Sequence, residues 1–330
     1  MMNSPLIIGT GAGLVSAVLF ASTAGGTWLA VLLFYLAPLP GFLAGLGWGW
    51  HAALIAGASG SVVVLAALGI KAAAVFVFAL AIPFTTLTYL ALLSRTGVTL
   101  PDQPPAQSVE WYPLGRLVAW AAVIAGALSA ISIPLLGFDS SSYRDTVVEI
   151  IESALLRQIE AGGAKLDREQ IKPLLQGMAY AMPAASAIFW LGVMLMNMWT
   201  AGRIALMSDR LARPWPDIHF MSFPPFFPLA LAAAFLLSFL PGIAGIASTG
   251  IAGAFFFAYF LLGLTVIHVL LPPTGARPLI LTGLYMGLFI LGWIGLIIAF
   301  IGLAEPLFNL RQRALNRAGH RPPGGGGPGQ

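Results

Sequence analysis

The chain has 330 residues, of which 58% are hydrophobic and only 8% are charged, with 16 Lys and Arg against 12 Asp and Glu. An average soluble domain has about 25% charged residues, so this composition excludes a soluble globular enzyme and a disordered chain. There is no cysteine, which excludes disulfides, thiolate catalysis and zinc or iron–sulfur sites held by Cys. The composition predicts an all-α, polytopic membrane protein.

Apolar segments long enough to cross a bilayer recur along the chain. A helix needs about 20 apolar residues to cross about 30 Å of hydrocarbon. That rule predicts nine candidate spans, near residues 6–24, 27–47, 52–70, 72–93, 115–137, 183–206, 225–241, 246–271 and 278–303. The second contains Pro38 and Pro40, which break or kink it, and the seventh is short and bounded by prolines. Either the second or the seventh span could be re-entrant and so fail to cross the membrane. We therefore expect a transmembrane helix bundle of eight or nine spans.

Two polar segments interrupt this pattern. Residues 94–114 are rich in proline and are expected to form a loop. Residues 139–182, between the fifth and sixth spans, begin with an N-cap sequence at Asp139 and have apolar residues at helical spacing. Gly162 is a stop signal, and a second short helix is expected from about 167 to 180. We predict an amphipathic helical insert, and leave open whether it lies on the membrane surface or serves as a gate or docking element.

The transmembrane domain is expected to cover residues 1–304, and residues 305–330 to form a basic, then Gly/Pro-rich disordered tail. If all nine spans cross and the N-terminus is inside, six Lys or Arg lie inside and ten outside, against the positive-inside rule. If residues 225–241 are re-entrant, nine lie inside and seven outside, and both termini are inside. The charge count therefore favours the second topology.

Sequence motifs for catalysis or for hydrolysis of nucleotides are missing. The interiors of the predicted spans hold no carboxylate, which argues against proton coupling and against an aspartyl intramembrane protease. There is no H-E-x-x-H, G-x-S-x-G or phosphate-binding P-loop, and the four histidines lack a metal-ligand spacing. We predict no enzymatic activity, no cofactor or metal, and no ATPase within the chain. The net charge of +4 comes from residues beside the spans, so the lipid bilayer is an expected partner and nucleic acid is not.

Polar groups inside the predicted spans are few. Thr85, Thr86 and Tyr89 follow Pro83 in the fourth span, and Asn197 lies among Met and Trp residues in the sixth. In one interpretation the threonines bond the main-chain carbonyl that Pro83 frees; in the other these side chains line a ligand cavity. We take Thr85, Thr86, Tyr89 and Asn197 as candidate ligand-binding residues.

Arginines cluster at the end of the sixth span and in the tail. Arg203, Arg210 and Arg213 precede a Pro-rich return to the membrane, and Arg311 and Arg313 begin the tail. We take these five as candidate contacts to lipid or to a partner protein, and leave open whether they anchor the chain or couple it to that partner.

Glycines recur at a spacing of four, which places small residues on one helix face and lets two helices approach closely. We expect these faces to pack within the chain, and leave open a homo-oligomer that uses them. The motifs are Gly9-x-x-x-Gly13, Gly41-x-x-x-Gly45-x-x-x-Gly49 and Gly283-x-x-x-Gly287.

The most distinctive features are Pro38-Leu39-Pro40 followed by Gly45 and Gly49, then Pro83, then the stretch with Asn197, Arg203, Arg210-Leu211, Pro214 and Pro224. Together they resemble the YybS-like family, a family of uncharacterised bacterial polytopic membrane proteins. The stretch from Gly302 to Arg311 is similar to that family's ending, Gly-x-x-Asp followed by an aromatic and an Arg-rich run. Glu305 replaces the Asp, and Asn309 replaces a second acidic residue. The resemblance extends over about residues 6–313.

The YybS-like family is itself similar to the substrate-binding membrane subunits of energy-coupling-factor transporters. Those subunits capture vitamins or metal ions and dock onto a transmembrane subunit with two ATPases. The resemblance implies a multi-pass protein of the bacterial inner (cytoplasmic) membrane. We predict a small-molecule-binding transport component that depends on an ATPase-coupled transmembrane partner. The alternative is a non-transport membrane scaffold in envelope or cell-division processes, which the insert at 139–182 and the basic tail favour.

Overall fold

The computed structural model describes residues 4–25, 27–96, 109–161, 168–271 and 274–319. The α-helices in these ranges are α1 Ser4–Ala21, α2 Trp28–Tyr35, α3 Pro38–Trp48, α4 Trp50–Phe76, α5 Ile82–Leu92, α6 Leu114–Leu136, α7 Ser140–Ala161, α8 Arg168–Met207, α9 Phe227–Leu237, α10 Ile243–Leu270, α11 Arg277–Leu291, α12 Ile294–Phe308 and α13 Leu310–Gly319. The predicted loop at 94–114 contains a short antiparallel hairpin of β1 Ser94–Thr96 and β2 Val109–Trp111. Residues 97–108 of that loop lie outside the described ranges. The all-α prediction is confirmed.

Several helical segments are long and apolar enough to cross a membrane. In the described chain they are Trp28–Trp48, Trp50–Leu92, Leu114–Leu136, Ile171–Met207 and Ile243–Leu270. Shorter apolar helices lie between and beyond them at Pro5–Ala21, Phe227–Leu237, Arg277–Leu291 and Ile294–Phe308. These lengths and compositions are those of a helical membrane protein, as the sequence predicts, while a count of eight or nine crossings stays a prediction.

The longest of these segments, from α4 to α5, is a hairpin of two helices. Its backbone leaves the helical region at Gly69, where φ is 82° and ψ is 178°, a conformation that glycine adopts without a steric cost. A Cβ on Gly60 would lie 2.7 Å from the Phe76 ring, and one on Gly57 would lie 3.2 Å from Ala81. Residues before and after the break therefore pack against each other, as expected for two separate spans.

Helices α8 and α10 run in the same direction. A Cβ on Gly250 would lie 3.3 Å from the carbonyl oxygen of Pro183, and a Cβ on Gly192 would lie 3.7 Å from the Phe257 ring. Because contacts advance together along both helices, the chain between them must return from one end of the bundle to the other. The re-entrant interpretation of the seventh predicted span is therefore wrong, because it requires α8 and α10 to be antiparallel.

Only about half of this return is helical. Phe227, the first residue of α9, packs against Phe255 and Tyr259, with ring centroids 4.7 and 5.7 Å apart. These two rings lie near the middle of α10, which has 28 residues and is about 42 Å long. Residues 208–226, which we call the irregular segment, therefore descend into the bundle with no regular structure beyond a short 3-10 turn at Ile218–Phe220.

The last turns of α3, α5, α8 and α10 meet at one end of the bundle, which we call the arginine-rich end. Arg210 lies over the Trp48 ring at the end of α3, 5.8 Å from its centroid. Arg213 donates to the carbonyl oxygen of Ala91 in the last turn of α5. Arg277 donates to a carbonyl in the last turn of α10. The opposite end carries the turn within α4 and helix α7.

The structure confirms the predicted cap of the insert. Asp139 Oδ1 accepts hydrogen bonds from the backbone N–H groups of Ser141 at 2.9 Å and Ser142 at 2.8 Å, at the start of α7. Hydrogen bonds from Ser141 and Ser142 lower the pKa of Asp139 to about 2. The predicted stop at Gly162 lies outside the described residues.

The second predicted helix of the insert is not separate. It is the first part of α8, which passes Pro173 and Pro183 and continues as the next apolar segment. Each proline removes one helical hydrogen bond without ending this helix. Helix α7 packs on the bundle through Tyr143 and Val147, which form a small buried cluster with residues of α6, α8 and α10. The insert is thus part of the opposite end of the bundle.

The predicted span at 278–303 is interrupted. Gly292, with φ 18°, separates α11 from α12, and each helix has 15 residues, about 22 Å. Neither crosses about 30 Å of hydrocarbon without a partner segment. Helix α12 packs antiparallel to α10, because Gly302 touches the backbone of Tyr259 and Gly263 touches that of Ile298. The predicted tail is helical as far as α13, and its Gly/Pro-rich end, residues 320–330, lies outside the described ranges.

Two of the three glycine motifs pack within the chain, as expected. A Cβ on Gly9 would lie 2.7 Å from the carbonyl oxygen of Ala52, and a Cβ on Gly41 would lie 2.7 Å from the Phe84 ring. The third motif differs, since Gly283 on α11 has no atom of the described chain within 4 Å of its Cβ position. Helix α1 can approach α4 closely, and α3 can approach α5, because glycine has no side chain at these contacts.

We expect Gly13→Ala to destabilise the protein by about 1–3 kcal/mol, because its methyl group would overlap Ser59 and the carbonyl oxygen of Ala56. Gly11, on the same helix, has open space around its Cβ position, so Gly11→Ala should be neutral or stabilising by up to about 1 kcal/mol. Thermal unfolding in detergent, followed by tryptophan fluorescence, measures both. Equal midpoints for the two variants would contradict this packing.

Candidate functional site

A cavity of about 750 Å³ lies at the arginine-rich end. Its walls come from the ends of α3, α5 and α6, the last turns of α8, the second half of α10, and the irregular segment. Most of its lining is apolar; the polar side chains in the wall are Arg213, Asp217, His219 and Thr265. A cavity of about 300–1,000 Å³ with apolar walls and few polar groups is typical of small-molecule sites.

The irregular segment forms one wall because its sequence cannot form a helix. Pro214 and Pro216 lack the N–H that a helix needs, and they favour an extended backbone in the residues before them. Trp215, between them, approaches α8 closely at Gly202, where a Cβ would lie 3.3 Å from the indole ring. Non-helical backbone at this depth is tolerated where it is buried in protein or lines a cavity, and here it lines the cavity.

Arg213 is the cation of this wall. One Nη1 hydrogen is donated to Ala91 O at 2.8 Å, and the guanidinium lies 5.7 Å from the centroid of the Trp111 ring. Its Nε is buried and has no hydrogen-bond partner among the described residues. An arginine stays protonated in proteins. The cavity wall therefore carries a positive charge that forms no ion pair within the described part of the chain.

Two other arginines of the predicted contact set also lie on tryptophan rings, within the roughly 6 Å of a cation–π interaction. The pairs are Arg203 with Trp215 at 5.1 Å and Arg210 with Trp48 at 5.8 Å. Both arginines are exposed at the arginine-rich end, and Arg313 on α13 is also exposed. Their contact with lipid or with a partner protein stays a prediction.

Arg311, the fifth arginine of that set, is engaged inside the chain. Its Nε donates to Glu305 Oε1 at 2.7 Å, and both side chains are buried, with 12% and 8% exposed. Its Nη1 donates to the carbonyl oxygen of His219 at 2.7 Å. His219 lines the cavity, so this ion pair ties the C-terminal helices to the irregular segment.

Asn197 joins two distant parts of the bundle. Its Nδ2 donates to the carbonyl oxygens of Tyr35 and Val193, both at 2.8 Å. Tyr35 ends α2, just before the break at Pro38, so its carbonyl oxygen has lost its helical partner. The structure therefore gives Asn197 a role in holding α8 against this break.

The other predicted ligand residues lie on α5, away from the cavity at the arginine-rich end. Thr85 and Thr86 are half-buried, and Tyr89 is exposed beside Trp50, with ring centroids 5.3 Å apart. The four residues Thr85, Thr86, Tyr89 and Asn197 are absent from the lining of this cavity and of a second one, about 400 Å³, at the base of the β-hairpin.

The carbonyl freed by Pro83 is not bonded by the threonines. Pro83 lacks the N–H that Ala79 O, four residues earlier, would accept in a helix. The chain widens into a π turn at Val77–Ala81, and Trp190 Nε1 on α8 donates to Ala79 O at 3.0 Å. The interpretation in which neighbouring threonines bond this carbonyl is therefore wrong, because a side chain from another helix occupies it.

Among the described residues, no group of three or more His, Cys, Asp and Glu side chains could hold a metal ion. Comparisons with protein-family models, with curated proteins and with solved structures find no match to this chain. The cavity and its side chains are therefore the basis for a functional proposal.

We expect Glu305→Leu to destabilise the protein by about 3 kcal/mol, because it leaves the buried Arg311 guanidinium without its counter-charge. The double variant Glu305→Leu with Arg311→Leu removes both charges and should recover most of that loss. Thermal unfolding in detergent checks both. If the double variant is as unstable as the sum of the two single variants, the ion pair is not the cause.

Proposed function

We propose that this membrane protein binds a small molecule in the cavity at its arginine-rich end. The observation that supports this most strongly is the irregular segment in the cavity wall. This non-helical segment makes up about half of the return between α8 and α10. A stable bundle alone needs no such segment, since a continuous helix satisfies its own backbone groups. The segment instead brings Arg213 and Trp215 to an apolar cavity of about 750 Å³.

We further propose that the protein is a transport component without its own source of energy. The sequence has no P-loop, and Glu305, the buried carboxylate of the described spans, is already paired with Arg311. The resemblance to the YybS-like family, and through it to substrate-binding subunits of energy-coupling-factor transporters, supports an ATPase-coupled partner in a bacterial inner membrane. In this proposal the exposed Arg203 and Arg210 lie at the end where such a partner would dock.

The arginine-rich end is proposed to face the cytoplasm. Arg311 donates to the carbonyl oxygen of His219 in the wall of the cavity at this end. Basic residues of the described chain at this end are Arg95, Arg116, Arg203, Arg210, Arg213, Arg277 and Arg311. The opposite end has Lys71, helix α7 with four acidic and two basic residues, and the start of α8 with Arg168, Glu169 and Lys172. The positive-inside rule then favours the arginine-rich end inside.

A cysteine-free chain allows this orientation to be tested with single cysteines. Ser208 lies exposed at the arginine-rich end, and Phe138 is 89% exposed at the opposite end. In intact spheroplasts, a membrane-impermeant maleimide should label Phe138→Cys at once and Ser208→Cys only after permeabilisation. The reverse labelling would place the arginine-rich end outside.

A second candidate function is a membrane scaffold, which helix α7 favours. Beyond the anchoring residues Tyr143 and Val147, its Asp145 and Glu149 are exposed and available to a partner. A scaffold of this kind uses the surface of the insert and has no need of an occupied cavity. The two functions therefore predict different results when a larger side chain fills the cavity: only the binding function predicts the loss of a bound small molecule.

Met198 lines the cavity, whereas Met196 on the same helix is 63% exposed on the outside of the bundle. We expect Met198→Trp to fill the cavity and to lower the amount of co-purifying small molecule at least about tenfold, a loss of ~1.4 kcal/mol. Met196→Trp is the matched control and should leave that amount unchanged. Native mass spectrometry of the protein from its own membranes measures the occupancy. No bound molecule in the parent protein, or equal occupancy in both variants, would favour the scaffold.

A further inference from the structure

The charge of Arg213 limits what the cavity can bind. A guanidinium has five N–H donors, and the structure uses one of them on Ala91 O while the buried Nε has no partner in the described chain. The Trp111 ring offers a weak cation–π contact, not a counter-charge. Arg213 is partly buried. A cation withdrawn from water without an anion is costly, so an anionic group in the cavity would stabilise this wall.

The carboxylates of the described chain near the cavity have other partners. Asp217 is in the cavity wall, but its Oδ1 accepts hydrogen bonds from the backbone N–H and the ring Nδ1 of His219. Glu305 is bound to Arg311. Within the described residues, no carboxylate therefore lies within ion-pair distance of Arg213.

The rest of the cavity is apolar. Leu117 and Val118 from α6, Leu195 and Trp199 from α8, and Leu261 from α10 line it together with further aliphatic residues. An ion with no apolar part would leave this surface in contact with water. At about 25 cal/mol per Å² of apolar area removed from water, a chain of methylene groups gains substantially from filling it. The lining thus complements a molecule with a charged end and an apolar body.

We propose that the cavity binds a single-chain anionic amphiphile, with its carboxylate or phosphate head paired to Arg213 and its apolar chain against Leu195, Trp199 and Leu261. A volume of about 750 Å³ lies in the range of single drug-sized molecules, which favours one chain over the two of a phospholipid. This inference rests on the proposed function and names the class of its ligand. Paired N–H donors on a carboxylate or phosphate are the strong hydrogen bonds of such sites.

Isothermal titration of the full-length protein in amphipol, with compounds that share one chain and differ in head group, tests this proposal. The probes are dodecanoate, dodecyl phosphate, 1-dodecanol, dodecyltrimethylammonium and inorganic phosphate. We expect one or both anionic amphiphiles to bind at least about tenfold more tightly than dodecanol, and the cationic amphiphile and inorganic phosphate more weakly still. The relative affinities of dodecanoate and dodecyl phosphate decide between a carboxylate and a phosphate head.

Arg213→Gln keeps a donor near Ala91 O but removes the charge, so it should reduce the preference for anionic amphiphiles over dodecanol about tenfold. Arg210→Gln is the matched control, because Arg210 lies in the same segment and on a tryptophan ring, but outside the cavity lining. That control should bind all probes as the parent protein does. If Arg213→Gln fails to fold, the head-group series on the parent protein still decides the matter.

The possible results distinguish the proposed ligand class from the proposed binding function. Equal binding of dodecanol and the anionic amphiphiles by the parent protein would overturn the anionic head group and leave the binding function intact. Binding of inorganic phosphate as tight as that of dodecyl phosphate would overturn the apolar chain. If none of the amphiphiles binds, the ligand class is overturned, and the occupancy measured with Met198→Trp and Met196→Trp decides the proposed binding function separately. An unchanged preference in Arg213→Gln would remove Arg213 from the site.

Discussion

The structure depends on how its interrupted helices satisfy their main-chain carbonyl groups. Each break leaves a carbonyl oxygen without its helical N–H, and within an apolar bundle an unpaired polar group costs several kcal/mol, on the order of a whole hydrogen bond or more. At four places in the described chain, a side chain from a distant segment donates to a main-chain carbonyl oxygen. The pairs are Trp190 with Ala79, Asn197 with Tyr35, Arg213 with Ala91, and Arg311 with His219.

These hydrogen bonds explain why α8 and the irregular segment are central to the fold. Trp190 and Asn197 on α8 bind carbonyl groups of the N-terminal half, and Arg213 binds α5 from the segment that follows α8. Each bond contributes about 1 kcal/mol net, but its loss would leave a buried oxygen unpaired at a greater cost. The polar side chains of the spans are thus largely used in structure. Arg213 differs, because the N–H groups that do not bind Ala91 O remain available to a ligand in the cavity. The functional proposal follows from these N–H groups.

Local patterns in the sequence predict what is local in the structure. The helical class, the break at Pro38 and the cap at Asp139 follow from composition, proline chemistry and side chains that bond a neighbouring N–H. The partner of Ala79, by contrast, is 111 residues away, and that of His219 is 92 residues away. No spacing rule covers such distances, so the cavity and the Glu305–Arg311 pair were not predicted. The prediction that residues 225–241 are re-entrant is wrong for a related reason. It rests on a count of charges, which cannot detect that a non-helical segment completes the return between α8 and α10.

The account's central claim is an anionic amphiphile held by Arg213 beside the irregular segment. A cryo-electron microscopy structure of the protein in nanodiscs made from its own membrane lipids tests it most directly. We predict elongated density in the cavity, with one end within hydrogen-bond distance of the Arg213 guanidinium and the rest along Trp199 and Leu261. A cavity closed by contact between Trp199 and Trp215, or a bound molecule whose polar end points away from Arg213, would contradict the claim.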